Sequence, residues 1–308
     1  MRLTVSSSPH LHAPVSTERV MRDVLIALLP SVFAAFVFFG VRALLVTLFC
    51  AALCVGLEAL STLVRKKEST VRDGSAAVTG VLLALTLPAD IPLAYAAVGC
   101  VVAIVVVKEM FGGLGCNFVN PALTGRIVML ISFPAATLGS AQNGYLPDGV
   151  TGATPLSGGE VSSLLDLLLG KVGGAMGEGC KIAILVGLAY LLVRRVISPV
   201  IPLCMVGTVA LFSLAVGEDV FVQLLSGGLL FGAVFMATDY VTSPISRVGQ
   251  AVYAVGCGLF TVLIRLYANL PEGISYAIVF MNIATPLIDR VFRPRLYGQV
   301  KKKRGERR

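Results

Sequence analysis

The run Ala43-Leu44-Leu45-Val46-Thr47-Leu48-Phe49-Cys50-Ala51-Ala52-Leu53-Cys54-Val55-Gly56-Leu57-Glu58-Ala59-Leu60-Ser61-Thr62-Leu63-Val64 decides the class of fold. Glu58 is its only ionisable carboxylate or cation, and no proline interrupts it. At about 1.5 Å rise per residue such a helix crosses the roughly 30 Å of hydrocarbon in a bilayer. It therefore reads as a membrane span, and the rest of the chain resembles it.

Hydrophobic residues make up 56% of the chain and charged ones 14%, with a mean hydropathy of +0.88. Apolar stretches of span length recur near 24–40, 43–64, 75–88, 91–112, 121–135, 180–196, 199–217, 221–240, 249–268 and 275–292. The expected fold is an all-α polytopic membrane protein with about ten transmembrane helices. The third and fifth stretches are short, which suits broken or re-entrant helices facing protein or water rather than lipid. Residues 1–23 are polar, carry Pro9 and Pro14 and lack the apolar core of a signal peptide, so the first span is expected to be retained.

A formal net charge of +8 raises the question of nucleic acid, and the distribution of charge argues against it. Arg2, Arg19 and Arg22 precede the first span, and Arg65, Lys66, Lys67 and Arg72 follow the second. Lys108 closes the fourth, Arg194 and Arg195 the sixth, and Arg247 follows the eighth. With ten crossings all of these share one side with the tail 293–308, whose cations include Lys301, Lys302, Lys303, Arg304, Arg307 and Arg308. Only Arg42, Lys171 and, at the membrane edge, Lys181 fall opposite. The positive-inside rule then places both termini in the cytoplasm and reads the tail as an anchor to lipid headgroups. No aromatic residues interleave its cations for stacking, so no nucleic-acid partner is expected.

The chain also repeats itself. Tyr95-Ala96 and Val98-Gly99-Cys100 recur as Tyr253-Ala254-Val255-Gly256-Cys257, and the stretch from Gly80 to Pro88 aligns with that from Gly232 to Pro244. Phe118-Val119-Asn120-Pro121-Ala122-Leu123 resembles Phe280-Met281-Asn282-Ile283-Ala284-Thr285-Pro286-Leu287. Five spans per half is an odd number, so the second half enters from the opposite face. The expected organisation is a cytoplasmic segment 1–23, a first five-helix repeat 24–135, an extracytoplasmic loop 136–179, an inverted second repeat 180–292 and a basic cytoplasmic tail 293–308.

Ionisable groups inside spans cost about 2.5–3.5 kcal/mol each on insertion scales and so mark functional positions. Glu58, Lys108, Glu109, Arg126, Asp239, Arg265, Asp289 and Arg290 qualify by position. Lys108, Glu109, Asp239, Asp289 and Arg290 lie near span ends, where snorkelling accounts for them. Glu58, Arg126 and Arg265 lie deeper, where an Arg either pairs with a carboxylate or holds an anion. The cysteines Cys50, Cys54, Cys100, Cys116, Cys180, Cys204 and Cys257 form no Cys-x-x-Cys pair and read as small apolar fillers. Cys116, in a glycine-rich turn, is the one placed to offer a ligand at a subunit interface. His10 and His12 lack a third ligand nearby, so no metal site is expected. Neither histidine stands near a nucleophile, and the run Gly112–Gly115 lacks the Lys-Ser/Thr of a phosphate loop, so no catalytic residues are assigned.

One polar interval, about 136–179, holds Asp148-Gly149-Val150-Thr151-Gly152-Ala153-Thr154-Pro155-Leu156 and a short apolar run, Leu164 to Leu169, expected to form an interfacial helix. Taken alone, Thr151-Gly152-Ala153-Thr154 is an ordinary turn of small residues.

Taken with its surroundings, Asp148-x-x-Thr151-Gly152-Ala153-Thr154 looks like the acceptor sequence at which a flavin transferase links FMN to threonine through a phosphoester. The chain as a whole resembles the family of D subunits of Rnf-type ion-translocating ferredoxin:NAD⁺ oxidoreductases. It is more distantly similar to the B subunit of the Na⁺-translocating NADH:quinone reductase. The matching segments, in order, are Ser8-Pro9-His10, Asp73 to Gly80, Lys108-Glu109-Met110-Phe111-Gly112-Gly113 with Asn117, and Asn120-Pro121-Ala122-Leu123. They continue with Thr154-Pro155-Leu156, Ala237-Thr238-Asp239-Tyr240 with Pro244, and Pro294-Arg295-x-Tyr297-Gly298.

The resemblance implies that Thr154 is esterified by FMN, with Thr151 the first hydroxyl of the motif. It implies one-electron flavin chemistry in a complex with A, B, C, E and G subunits in a bacterial cytoplasmic (inner) membrane. There electrons pass from reduced ferredoxin to NAD⁺ while Na⁺ or H⁺ is exported. The distant relative implies a second, non-covalent flavin, riboflavin, with Gly112, Gly113 and Asn120 as its neighbours. Two other readings are an inverted-repeat secondary transporter or channel without a flavin, and a membrane scaffold without a cofactor. The acceptor loop discriminates among them, because a transporter has no reason to present it.

Overall fold

The computed structural model describes residues 16–66, 70–137, 164–170, 174–268 and 273–293, and among these every regular element is helical. The acceptor motif 148–154, His10, His12 and the tail from 294 lie outside the described residues. The helices are α1 (Thr17–Phe39), α2 (Val41–Val64), α3 (Ser75–Leu85), α4 (Leu93–Val101, continuing as a π-helix Val102–Glu109), α5 (Pro121–Ser132) and α6 (Pro134–Thr137). A 3₁₀ turn, Val71–Asp73, leads into α3. The helices continue with α7 (Leu164–Leu169), α8 (Lys181–Val193), α9 (Val200–Val216), α10 (Val220–Leu225), α11 (Leu229–Phe231, continuing as a π-helix Gly232–Met236), α12 (Arg247–Tyr267) and α13 (Gly273–Val291).

Four of these, α1, α2, α12 and α13, are long and apolar enough to cross a membrane; α3, α5, α8 and α9 are shorter apolar helices. The short third and fifth stretches of the sequence are short helices here. The stretch 221–240, read as one span, is instead broken after α10 at Ser226-Gly227-Gly228, where Gly227 adopts φ +65°. A left-handed glycine followed by a second glycine ends a helix at little cost, which is the physical reason for the break. The Leu164 to Leu169 run is helical, as its composition suggested.

Local chemistry fixes where helices start. Asn120 accepts from the amides of Ala122 (3.0 Å) and Leu123 (3.3 Å), with Pro121 in the first turn, so α5 begins there. Ser246 accepts from Gly249 N at 3.0 Å and starts α12. Packing then depends on small residues, since apolar lipid gives helices no hydrophobic reason to associate. A Cβ on Gly80 of α3 would stand 2.6 Å from Cys50 O and 2.7 Å from Ala51 Cα of α2. One on Gly187 of α8 would stand 2.5 Å from Ala27 O of α1.

The result is apolar both inside and out. α3 is buried over most of its length, whereas Phe33, Leu63, Leu203, Leu211 and Leu287 are exposed as an apolar outer face. At the centre the two segments matched in sequence meet. Asn120 Nδ2 donates to Met236 O (3.3 Å). Asn282, with its amide turned to donate to Tyr253 Oη (2.7 Å) and Ile278 O (3.2 Å), accepts from Asn120 N at 3.1 Å.

Gly80→Ala is expected to lower stability by about 1–3 kcal/mol, since backbone rather than a movable side chain opposes the new methyl. Thermal unfolding in detergent measures this; an unchanged midpoint would mean that α2 and α3 are not in backbone contact.

Candidate functional site

The two π-helical segments end at the same place. A π turn accommodates an extra residue and recurs at functional sites. The first ends with Lys108 and Glu109, the second just before Thr238 and Asp239. Between them lies an open cleft. Its walls are mainly apolar: Val20, Met21 and Val24 of α1, Val78 and Leu82 of α3, and Val234 and Phe235. The polar groups are few and of mixed kind: Lys108, Asp239, Asn117, Asn120, Ser75, Thr79, Thr238 and Tyr240. An apolar cleft with sparse polar groups suits a mostly apolar organic ligand oriented by a few polar contacts.

Lys108 is the cation of this set, and it does not reach for the surface. It is 2% exposed, and its Nζ donates to Glu58 Oε1 (2.6 Å) and Ser75 Oγ (2.7 Å). Glu58 is fully buried and also accepts from Thr70 Oγ1 at 2.9 Å; its Oε2 has no hydrogen-bond partner among the described residues. Next to it Glu109, 4% exposed, accepts from Arg65 at Oε2 (3.2 Å), and Arg65 also donates to the Glu109 carbonyl. Snorkelling is thus corrected for Lys108 and Glu109. The partners they needed are Glu58 on α2 and Arg65 at its C-terminal end, so burial with pairing wins over escape to the interface. Asp239 borders the cleft and accepts from Thr242 Oγ1 (3.1 Å), Asp289 accepts from Ile245 N (3.1 Å), and Arg290 is exposed.

A second polar cluster closes the far end of α3. Arg126, 3% exposed, donates to the carbonyl of Thr86, and its Nη2 stands 3.8 Å from Glu178 Oε1. Lys181 donates to the Glu178 carbonyl and to Gly227 O (3.3 Å). Arg265 donates to Gln223 O (2.7 Å), Gln223 Oε1 (3.1 Å) and Ser226 O (3.2 Å). The deep arginines therefore cap the broken ends of helices, and Arg126 also meets a carboxylate. Backbone bonds pin the Glu178 turn to the end of α3, from Met176 N to Leu87 O (3.1 Å) and from Gly177 N to Leu85 O (2.6 Å).

Of the residues singled out in the sequence, Asn120 lines the cleft. Gly112 (φ +129°) and Gly113 (φ +100°) form the turn that ends the first π-helix, and Leu114 of that turn lines the cleft. Asp148, Thr151, Gly152, Ala153 and Thr154 lie outside the described residues. The cysteines behave as apolar fillers at Cys50, Cys54, Cys100 and Cys257, which are buried, while Cys116 is exposed. Among the described residues no cluster of three metal-ligating side chains occurs. The sequence reading missed Glu178. Its signal was a lone acid in the glycine-rich approach to the sixth span, shortly before Lys181.

Glu178→Gln removes the carboxylate that stands 3.8 Å from Arg126 Nη2. Amide exchange at Met176 and Gly177 is expected to accelerate at least about tenfold, since removing one partner of a buried ion pair leaves the other charge uncompensated at about 3–5 kcal/mol. Unchanged exchange there would show that the turn is held by its backbone bonds alone.

Comparison with known proteins matches the chain over nearly its whole length. The chain is 47% identical to the D subunit of the Na(+)-translocating ferredoxin:NAD(+) oxidoreductase complex of Acetobacterium woodii, covering 99% of this chain and 98% of that one. It is 38% identical to the D subunit of the proton-translocating ferredoxin:NAD(+) oxidoreductase complex of Clostridium ljungdahlii, covering 96% of each. With the D subunit of the ion-translocating oxidoreductase complex of Stutzerimonas stutzeri it shares 39% identity over 92% of this chain and 93% of that one. The family profile described as NQR2, RnfD, RnfE matches residues 4–298, and the chain belongs to that family.

Proposed function

We propose that this protein is the flavin-bearing membrane subunit of a redox-driven ion pump. It carries FMN on Thr154 and relays electrons between reduced ferredoxin and NAD⁺ within a complex that exports Na⁺ or H⁺. The observation that carries the reading is the acceptor sequence Asp148-x-x-Thr151-Gly152-Ala153-Thr154 in a chain that matches the D subunits of such complexes end to end. FMN supplies a one-electron carrier when bound. The chain's own contribution is the hydroxyl of Thr154 for the phosphoester, next to the small residues Gly152 and Ala153 in sequence. A covalent bond retains a cofactor on a loop facing away from the cytoplasm. The partners in this reading are the A, B, C, E and G subunits, a flavin transferase and membrane lipid.

Ten crossings in two inverted halves, with both termini cytoplasmic in the inner membrane, complete the reading. The charge distribution supports it, and so does packing. Gly99 of α4 faces Met129 of α5, where a Cβ would stand 2.5 Å from Sδ. Gly256 of α12 faces Met281 of α13 in the same way, at 2.7 Å. The matched Val-Gly-Cys segments thus use their glycine alike, each against a methionine of the helix that follows.

The cleft suits a second, non-covalent flavin. Val24, Val78, Leu82 and Phe235 offer apolar walls for fused rings, and Asn117, Asn120, Thr79 and Thr238 offer both donors and acceptors for a polar edge. Its one cation, Lys108, is balanced by Glu58 behind it, and Asp239 adds a negative charge to the cleft wall, so the described residues offer a doubly charged phosphate no net positive charge. Uncharged riboflavin fits this donor set better than FMN.

Run on a denaturing gel after co-expression with the transferase, the chain is expected to fluoresce under ultraviolet light. Thr154→Ala should abolish the band and Thr151→Ala should keep it; a dark wild-type band, or a fluorescent Thr154→Ala band, contradicts the assignment. For topology, a membrane-impermeant maleimide should label exposed Cys116 only in inside-out vesicles and Ser157→Cys only in right-side-out ones. Labelling of both from one side would rule out the inverted arrangement.

A further inference from the structure

We infer that Lys108 is the residue that sets the redox preference of the ligand in the cleft, held in place from behind by Glu58. The inference rests on the reading of the cleft as a riboflavin site. Lys108 and Asp239 are the only charged side chains among the described residues that line the cleft, and of the two only Lys108 is positive. Two of its three N–H donors are fixed, on Glu58 Oε1 at 2.6 Å and Ser75 Oγ at 2.7 Å. An ammonium has three, so one is left, on a residue that lines the cleft. Glu58 does not line the cleft, and so it lies farther from any ligand there than Lys108 does. A ligand in the cleft therefore has Lys108 nearer to it than Glu58, with Asp239 a fixed feature of the wall in every variant compared below.

That arrangement is directional. A flavin that accepts two electrons and one proton becomes one unit more negative, and a nearby fixed cation in a low-dielectric wall favours the more negative form. The carboxylate has a second task. Without Glu58, the lysine would be an uncompensated buried charge; without Lys108, Glu58 would be one. The pair is neutral overall, yet its orientation leaves its positive end toward the ligand. Glu58 is thus a positioning residue that both holds and moderates Lys108. Thr70 Oγ1, on the other side of Glu58 Oε1 at 2.9 Å, fixes the carboxylate against rotation.

The test uses the full chain in detergent, with Thr154→Ala so that no covalent flavin contributes, titrated with riboflavin. Fluorescence quenching gives the dissociation constant of the oxidised form, and a dye-coupled reductive titration gives the midpoint potential of the bound form. Lys108→Met should weaken binding of the reduced relative to the oxidised form by at least about tenfold, a downward shift of about 30 mV for each tenfold. Glu58→Gln should shift the potential upward, because it removes the moderating charge and leaves the lysine. The double variant Glu58→Gln/Lys108→Met restores overall neutrality and should fall between wild type and Lys108→Met. This ordering, with one variant above wild type and two below, is not produced by a packing defect, which moves all three the same way. If Lys108→Met alone fails to fold, the opposite signs expected for Glu58→Gln and for the double variant still decide the matter. Riboflavin bound with an unchanged potential in these variants overturns the role of Lys108 while leaving the cleft as a flavin site. No riboflavin bound by the Thr154→Ala chain overturns the flavin reading of the cleft itself.

Discussion

The ion pair between Lys108 and Glu58 is the interaction on which the surrounding architecture depends. Both side chains are withdrawn from solvent, in a protein whose outer face is apolar. Desolvating two charges costs several kcal/mol each, and only close pairing with further hydrogen bonds offsets it. The structure meets that condition with three elements. α2 supplies Glu58, the π-helical end of α4 supplies Lys108, and the approach to α3 supplies Thr70 and, at the first helical position, Ser75. The cleft lies on the lysine side of this knot. Whatever binds there meets a wall whose position is set by electrostatics rather than by loop conformation.

A second constraint is the close approach of helices. Alongside the buried apolar core, backbone contact at Gly80 brings α3 directly onto α2. It buries α3 almost completely and so lets a short helix, with an unfinished C-terminus, exist inside the bundle. The freed carbonyls of that end are met by Arg126, Met176 N and Gly177 N. Broken helices are tolerated at membrane depth only where protein satisfies the freed backbone groups, and here the arginines read as deep in the sequence do so. Their first role is to cap broken backbone, and the charge of Arg126 is shared with Glu178.

Much of this was legible in advance. Apolar run lengths located the helices, and Asn120-Pro121 marked the start of α5 through its capping chemistry. Other features were not. The break at Ser226-Gly227-Gly228 sits inside a continuous apolar stretch, and hydropathy averages over it. Lys108 and Glu109 looked like interfacial groups because position along a helix says nothing about a partner far away in the chain on another one. Only the fold brings Glu58 to Lys108 and Arg65 to Glu109. The cleft itself is assembled from α1, α3, the loop before α5 and the second π-helical segment, so no single stretch of sequence announces it.

The flavin on Thr154 is the claim on which the functional reading turns, and the mass of the intact chain tests it most directly. Purified from cells that contain the transferase, the chain is expected to be heavier than its sequence by one FMN less one water. Fragmentation should place that mass on the hydroxyl of Thr154, and phosphodiester cleavage should release it. An unmodified chain from such cells, or a flavin located on any other residue, would contradict it.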